Sequence, residues 1–295
     1  MPSRRQIREA AVQFLYCADL EGGAPAADYR QTFWDLLTES DRRRLLVSIM
    51  RALEHISQGR TDRLIELTER ASTALARLSA STATESIKKD LQLVLRLESA
   101  WSAHYDTLRK LPLHDVENDA IIGQLDESVK NLFSVNKDLS AARERFRLAL
   151  EDYPTLRNSL EALSASQRRM QRISDRVSML ENPNQFPEQS DLKHIRESSE
   201  EISALRRDAD VLVDSVLLHK KTIDEKLAQI IENYVPERID PVDRAILRLA
   251  ACELHTRPDI SPKIVINEAI DLAKKFGSTD SGRFVNGVLD QLTKH

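Results

Sequence analysis

Glycine and aromatic residues are scarce in this sequence, and their scarcity restricts the fold. Seven glycines occur in 295 residues, and aromatic side chains make up 5%. Between Gly59 and Gly277 there is only Gly123, whereas a sheet protein needs turn residues with positive φ at short intervals. The 31% charged and 41% apolar residues are typical of long amphipathic helices. The sequence therefore predicts an all-α fold.

Cysteine is nearly absent, and no long apolar run interrupts the charged sequence. Cys17 and Cys252 form no CxxC pair, which argues against a zinc site and a disulfide framework. No run approaches the roughly 18 apolar residues that a membrane-spanning helix needs. The apolar stretch after Arg4 and Arg5 is interrupted by Gln13, unlike a signal peptide. We therefore expect a cytoplasmic protein without membrane contact.

The motifs of common enzyme classes are also missing. The seven histidines include no pair at metal-binding spacing and no HExxH motif. There is no glycine-rich phosphate loop, no nucleophile elbow and no dinucleotide fingerprint. Glu197, Glu200 and Glu201 come closest to a carboxylate cluster, but they lie in a charge-rich segment and are most simply solvated. We expect no enzymatic activity, no cofactor and no metal site.

The charge balance limits how this protein can meet a nucleic acid. The 43 Lys and Arg residues stand against 47 Asp and Glu residues, which gives a formal net charge of −4. A surface that is negative on balance does not coat a polyanion as a whole. Any site for a polyanion must therefore be local, and Arg4, Arg5 and Arg8 form one local basic cluster.

Helical patterns cover most of the chain. Apolar residues recur at helical spacing from Ile7 to Ala18 and predict an amphipathic helix that stops at Gly22 and Gly23. From about Asp41 to Leu218, apolar residues follow alternating three- and four-residue spacing. Short connections between long helices predict antiparallel neighbours. We therefore expect residues 31–205 to form an antiparallel, coiled-coil-like stack.

Shorter, well-punctuated helices follow in the C-terminal part. Asp240 and Ser261 each precede a proline, the signal of a helix cap and a first turn. The helix after Ser261 ends at Gly277, and residues 278–281 supply caps for a last helix. Backbone N–H groups at the start of that last helix make an anion site. The two helices therefore meet at a tight, polar corner.

The side chains around this corner add positive charge and an aromatic ring. Lys274, Lys275 and Arg283 are the cations. Phe284 offers a plane on which an unpaired base could stack, although its helical spacing fits a core residue as well. The corner is therefore the second candidate for a local polyanion site.

Several segments together resemble the NusB family of bacterial transcription antitermination factors. Residues 263–290, KIVINEAIDLAKKFGSTDSGRFVNGVLD, and residues 242–254, VDRAILRLAACEL, resemble the C-terminal half of that family. Residues 4–16, RRQIREAAVQFLY, are similar to its arginine-rich first helix, and residues 213–235 to its middle helices. The resemblance implies a discontinuous NusB-like RNA-binding domain over residues 1–30 and 206–295, split by a helical insertion over 31–205.

The resemblance also implies partners and site residues. It implies a protein that joins NusE, a small-subunit ribosomal protein, on the boxA element of nascent ribosomal RNA in the transcription elongation complex. The RNA surface that it implies consists of Arg4, Arg5, Arg8, Lys274, Lys275, Ser278, Asp280, Ser281, Arg283 and Phe284. It places Tyr16 and Asp243 at the surface that faces NusE. Gln6 and Gly282 depart from residues common in the family, which predicts weaker phosphate contact.

Alternatives remain open for the role of the insertion. It is either a passive spacer or the main partner-binding element of a helical scaffold, and the heptad pattern does not choose between them. Polymerase, another antitermination subunit or a second copy of this chain, in a homo-oligomer, are the candidate partners. NusB-like domains also resemble the N-terminal domain of some ribosomal RNA cytosine methyltransferases. Because only five residues follow Asp290, we expect no methyltransferase domain.

Overall fold

A computed structural model describes residues 1–22, 26–79, 82–112, 118–231 and 235–294. Every regular element in these ranges is helical, so the prediction of an all-α fold is confirmed. Four short 3-10 turns, at Thr82–Thr84, Pro183–Gln185, Ser190–Leu192 and Pro236–Arg238, accompany the α-helices. The α-helices are α1 (Arg4–Leu20), α2 (Ala26–Leu37), α3 (Glu39–Ile56), α4 (Arg60–Leu78), α5 (Glu85–Arg109), α6 (Asp119–Ala149), α7 (Pro154–Ser159), α8 (Glu161–Glu181), α9 (Lys193–Ile230), α10 (Pro241–Thr256), α11 (Pro262–Phe276) and α12 (Ser281–Leu292).

The chain divides into two compact units, each with its own apolar core. The terminal unit consists of Met1–Asp41 and Glu197–His295, and the central unit consists of Arg42–Arg196. That the terminal unit is an RNA-binding domain, and that the central unit is a coiled-coil-like insertion into it, stay predictions.

The core of the terminal unit is built around α10. This helix is buried from Asp243 to Glu253 and packs against α1, α11 and α12. The predicted apolar face of α1 is buried, and its Phe14 ring lies 5.7 Å, centroid to centroid, from the Trp34 ring of α2. Because both ends of the chain supply helices to this core, residues at the two ends can form one surface.

A capping box fixes the start of α1. Ser3 Oγ accepts a hydrogen bond from the Gln6 backbone N–H at 3.2 Å, and Gln6 Oε1 accepts one from the Ser3 N–H at 2.7 Å. The pair satisfies two donors that would otherwise lack partners, so Gln6 has a structural role here. The helix ends at Leu20, and Gly22 follows with a φ of 76°. Gly23, the second glycine of the predicted stop, lies outside the described residues.

The central unit is a helical bundle in which α4 contacts α5 and α8, and α6 contacts the same two helices. Gly59, with a φ of 69°, separates α3 from α4. The buried side chains recur at three- and four-residue spacing, as in Leu67, Ala71, Ala74 and Leu78 of α4 and Leu125, Val129, Leu132, Asn136 and Leu139 of α6.

A charged network crosses the core of the central unit. Glu98 of α5 is fully buried and accepts hydrogen bonds from Arg60 Nη2 at 2.6 Å and Arg143 Nε at 3.1 Å. The Arg60 guanidinium also lies 3.8 Å from the centroid of the Trp101 ring. Burial, which the Glu98 charge only partly offsets, lowers the pKa of Arg60 to about 10. A shift of α4, α5 or α6 by one turn would leave a buried charge unpaired, which disfavours other alignments of these helices.

The described ranges hold neither a helix apolar and long enough to cross a bilayer nor a cluster of three metal-ligating side chains. Both cysteines are free thiols, Cys17 exposed and Cys252 buried.

Candidate nucleic-acid interface

The three N-terminal arginines occupy different environments. Arg4 and Arg5 are exposed, whereas Arg8 is only 4% exposed. Arg8 donates from Nε to Glu253 Oε2 at 2.8 Å and from Nη2 to Glu253 Oε1 at 3.0 Å. The buried residues Ala11 and Val12 follow Arg8 by three and four positions, so Arg8 lies on the core-facing side of α1.

The placement of Arg8 changes its predicted role. An arginine that pairs with a buried carboxylate can reach an RNA phosphate only by leaving that carboxylate unpaired, which is strongly unfavourable. We therefore leave Arg8 out of the proposed RNA contacts, in contrast to the expectation from the sequence.

Ion pairs join the start of α1 to the end of α11. Arg5 Nη2 lies 2.9 Å from Asp271 Oδ2, and Glu9 Oε2 lies 2.8 Å from Lys275 Nζ. Glu9 Oε1 also lies 3.8 Å from Arg5 Nε, so Glu9 stands between the two cations. Such half-exposed pairs contribute less than about 1 kcal/mol each. They nevertheless place Arg5 beside Lys275, and the basic clusters at the two ends of the chain become neighbours.

The cations around this junction form what we call the basic surface: Arg4, Arg5, Lys274, Lys275 and Arg283. A Cβ built on Gly282 would lie 3.4 Å from Lys274 Cγ, which shows that the start of α12 runs alongside Lys274. All five side chains are exposed. Within the described ranges, Arg4, Lys274 and Arg283 make no ion pair, so their charge is available to a ligand.

Ser281 closes the corner between α11 and α12. Its hydroxyl accepts a hydrogen bond from the Ser278 N–H at 2.9 Å and donates one to Asp243 Oδ2 at 3.0 Å. Gly277 is needed for this close approach, because a Cβ there would lie 2.5 Å from Ser281 Oγ. The predicted cap takes a different form from the expected one: Asp280 is the N-cap residue of α12, but its side chain makes no capping hydrogen bond.

Two residues predicted to contact partners belong to the interior of this corner. Asp243 is 6% exposed and Ser281 is 1% exposed. Burial raises the pKa of the Asp243 carboxyl against the opposing hydrogen bond from Ser281, and its Oδ1 has no partner among the described residues. Side chains so enclosed cannot contact NusE or RNA directly, so we leave both out of the proposed contacts. Tyr16 is half-buried, with its ring against the core.

Phe284 combines the two roles that its sequence position left open. Its ring packs against the core of the terminal unit but is only half-buried. Ser278 and Asp280, on the same corner, are exposed. A part of the ring is therefore accessible beside hydrogen-bonding groups and the basic surface.

Glu9 and Asp271, the two carboxylates that pair with Arg5 and Lys275, were not identified from the sequence. The Arg5 and Glu9 spacing of four residues on a helix was a signal for one of these pairs. The pairs that cross from α1 to α11 have no such signal, because their partners are distant in sequence.

These features define an all-α protein that carries a local basic surface on a chain of net negative charge. Residues 175–294 match the model of the NusB family. The transcription antitermination protein NusB of Trichlorobacter lovleyi is 42% identical over 101 residues, which cover 34% of this chain and 71% of that protein. The chain belongs to the NusB family.

Other relatives are matched over a shorter part of their length. The transcription antitermination protein NusB of Desulfitobacterium hafniense is 44% identical over 86 residues, which cover 29% of this chain and 58% of that protein. A solved structure of T. maritima NusB is 34% identical and covers 34% of this chain and 75% of that chain, with a TM-score of 0.30. The family match at 175–294 does not include α1, so the roles of the N-terminal arginines rest on resemblance and geometry.

Proposed function

We propose that this chain is a non-enzymatic transcription antitermination factor that binds boxA-type single-stranded RNA together with NusE, within the elongation complex that transcribes ribosomal RNA. Family membership and the name of the curated relatives support this proposal. The observation that carries it is the junction of α1 and α11, where Arg5 and Lys275 share Glu9. The two cations and two carboxylates of the junction balance each other. The local excess of positive charge comes from Arg4, Lys274 and Arg283, which make no ion pair among the described residues, on a chain with a net charge of −4.

The exposed residues of the terminal unit fall into groups that contact different parts of the RNA. The basic surface suits phosphates, which supply affinity without sequence preference. Ser278 and Asp280 carry hydrogen-bonding groups that suit base edges, and Phe284 suits stacking with an unpaired base. Because stacking needs splayed bases, we expect single-stranded RNA to bind better than duplex. Tyr16, with an apolar ring and a polar tip, is the remaining candidate contact for NusE.

Removing a cation of the basic surface should flatten the salt dependence of RNA binding. Arg4→Ala and Arg283→Ala should each reduce the slope of log affinity against log salt by about one, and the double variant by about two. The measurement is fluorescence anisotropy of a labelled boxA RNA over a salt series, with and without NusE. The presence of NusE should raise the RNA affinity. Lys137→Ala, at an exposed site on α6, makes the same charge change and should leave the slope unaltered.

Two results would contradict the proposal. If the full chain does not bind boxA RNA in the presence or absence of NusE, the function is wrong. If it binds but the slopes of wild type, Arg4→Ala and Arg283→Ala coincide, the basic surface is not the RNA site.

Replacing Phe284 with leucine should weaken RNA binding while the protein stays folded. Leucine keeps apolar contact with the core but removes the plane, so RNA affinity should fall by about 1 to 3 kcal/mol without a change in salt slope. The free energy of unfolding should fall by only about 1 to 2 kcal/mol. Anisotropy and urea denaturation of the same variant provide both values. Unchanged RNA affinity in folded Phe284→Leu protein would remove Phe284 from the site.

A further inference from the structure

A pocket of about 380 Å³ lies beside the basic surface in the terminal unit. Arg4, a member of the basic surface, lines it at one side, and Arg257 and Asp259 line it from the turn that follows α10. Its volume is within the range of small-molecule sites. Arg4 therefore belongs both to the pocket lining and to the basic surface.

The turn after α10 holds its two charged residues in place. The Ile260 N–H donates to the Arg257 carbonyl at 3.1 Å, which closes a four-residue turn. Pro258 occupies the second position of that turn, where its fixed φ is favourable. The Arg257 N–H in turn donates to the Glu253 carbonyl at the end of α10. Arg257 and Asp259 are therefore presented by a backbone that is ordered before any ligand binds.

The charges at the pocket are only partly neutralised. The buried Arg8 and Glu253, which also line it, pair with each other, and Asp208 Oδ1 lies 3.6 Å from Arg207 Nε.

Three other charged residues of the lining have no ion-pair partner in the described part of the chain: Arg4, Arg257 and Asp259. The pocket thus offers two cations and one carboxylate to a ligand, which suits a molecule with an anionic group and a separate hydrogen-bond donor.

Apolar side chains complete the wall. Ile7, Val211 and Ile260 line the pocket, and Val211 is 56% exposed. A flat ring packed on these side chains would cover apolar surface that is now in contact with water. A nucleotide combines such a ring with a phosphate and, in cytosine, adenine and guanine, an exocyclic amino group.

We propose that this pocket binds one unpaired nucleotide of the RNA strand held on the basic surface, an inference that rests on the proposed function. Its phosphate lies against Arg4 and Arg257, its base packs on the apolar wall, and an exocyclic amino group donates to Asp259. Single-stranded RNA is recognised through splayed bases in this way. A carboxylate accepts from the amino group of cytosine, whereas uracil has a carbonyl oxygen at that position. The pocket therefore favours cytosine over uracil.

The test uses the full chain and two labelled single-stranded RNAs of equal length, oligocytidylate and oligouridylate. Wild type should bind oligocytidylate about tenfold more tightly, because one base-edge contact discriminates by roughly that factor or more. Asp259→Asn should abolish this preference. Arg257→Ala should weaken both RNAs and reduce the salt slope by about one.

A matched control separates the pocket from general charge. Lys263 is exposed at the start of α11 and does not line the pocket, so Lys263→Ala should bind both RNAs as wild type does. If Arg257→Ala and Asp259→Asn also bind as wild type does, or if Lys263→Ala weakens binding as much as Arg257→Ala, the pocket does not bind the nucleotide. In that case the loss of affinity in Arg283→Ala would still support the basic surface. If wild type binds no RNA, both proposals are wrong.

Discussion

Replacing Arg8 with alanine should lower the free energy of unfolding of the terminal unit by about 3 to 5 kcal/mol, because the partner carboxylate is then buried without a counter-ion. That carboxylate, Glu253, is 3% exposed and has both oxygens bound by Arg8. Arg4, four residues earlier, is exposed and makes no ion pair among the described residues. Arg4→Ala should therefore leave the stability nearly unchanged while it weakens RNA binding, the opposite pattern to Arg8→Ala.

The two tryptophans of the chain allow each unit to be followed separately. Trp34 lies in the core of the terminal unit and Trp101 in the core of the central unit. In a Trp101→Phe background, the fluorescence of Trp34 during urea denaturation reports the terminal unit. The double variant Arg8→Met with Glu253→Leu is the control, because it removes the two charges of the buried pair and fills the space. Glu268, whose Oε2 lies 3.9 Å from Arg8 Nη1, keeps its charge, but it is the more exposed of the two carboxylates. It should be more stable than Arg8→Ala alone, since an apolar replacement of a buried pair is often neutral. Equal stability of Arg8→Ala and Arg4→Ala would show that the pair is not buried in solution.

Replacing Glu98 with alanine should destabilise the central unit by about 3 to 5 kcal/mol, because two buried guanidinium groups then lose the carboxylate that they share. Arg60 and Arg143 are 6% and 4% exposed, and neither side chain can reach water without displacing the core. The fluorescence of Trp101 in a Trp34→Phe background reports this unit. The Trp101 indole lies beside this charged network, and its Nε1 donates a hydrogen bond to the Asn136 side-chain oxygen at 3.3 Å.

Glu144→Ala is the matched control for Glu98→Ala. Glu144 is exposed on α6, where it pairs with Arg147, and its replacement by alanine removes the same charge as Glu98→Ala does. It should leave the urea midpoint of the central unit unchanged. Glu98→Gln keeps the shape but removes the charge, and it should fall between wild type and Glu98→Ala. A Glu98→Ala protein as stable as Glu144→Ala would show that the charged network does not stabilise the central unit.

Glu98→Ala also tests which unit binds RNA, when its RNA affinity is measured beside that of Phe284→Leu. A change in the central unit that alters its stability and leaves RNA affinity intact agrees with RNA binding by the terminal unit alone. Loss of RNA affinity in Glu98→Ala would instead favour the alternative in which the central unit is a partner-binding element. The same set of variants therefore tests the assignment of roles to both units.

The sequence by itself determined the local features of this protein. Few glycines and a high charged fraction predicted helices, and the spacing from Ile7 to Ala18 predicted the buried face of α1. The corner at Gly277 was also visible, because a glycine after an apolar helical face is a stop signal. Ser3 and Gln6 also have the spacing of a capping box, although Gln6 was interpreted from the sequence only as a departure from the family pattern. These features depend only on residues within a few positions of one another, so they can be predicted from the sequence without knowledge of the tertiary structure.

Only the tertiary structure decided which charged residues are available to a ligand. Arg4, Arg5 and Arg8 are alike in the sequence, but the rotation of α1 against α10 exposes the first two and buries the third on Glu253. Asp243 lies in a first helical turn, where exposure is the ordinary expectation, yet α10 is packed against three other helices and Ser281 covers it. Burial depends on the side chains that other helices bring from distant parts of the chain, and these partners have no fixed spacing in the sequence.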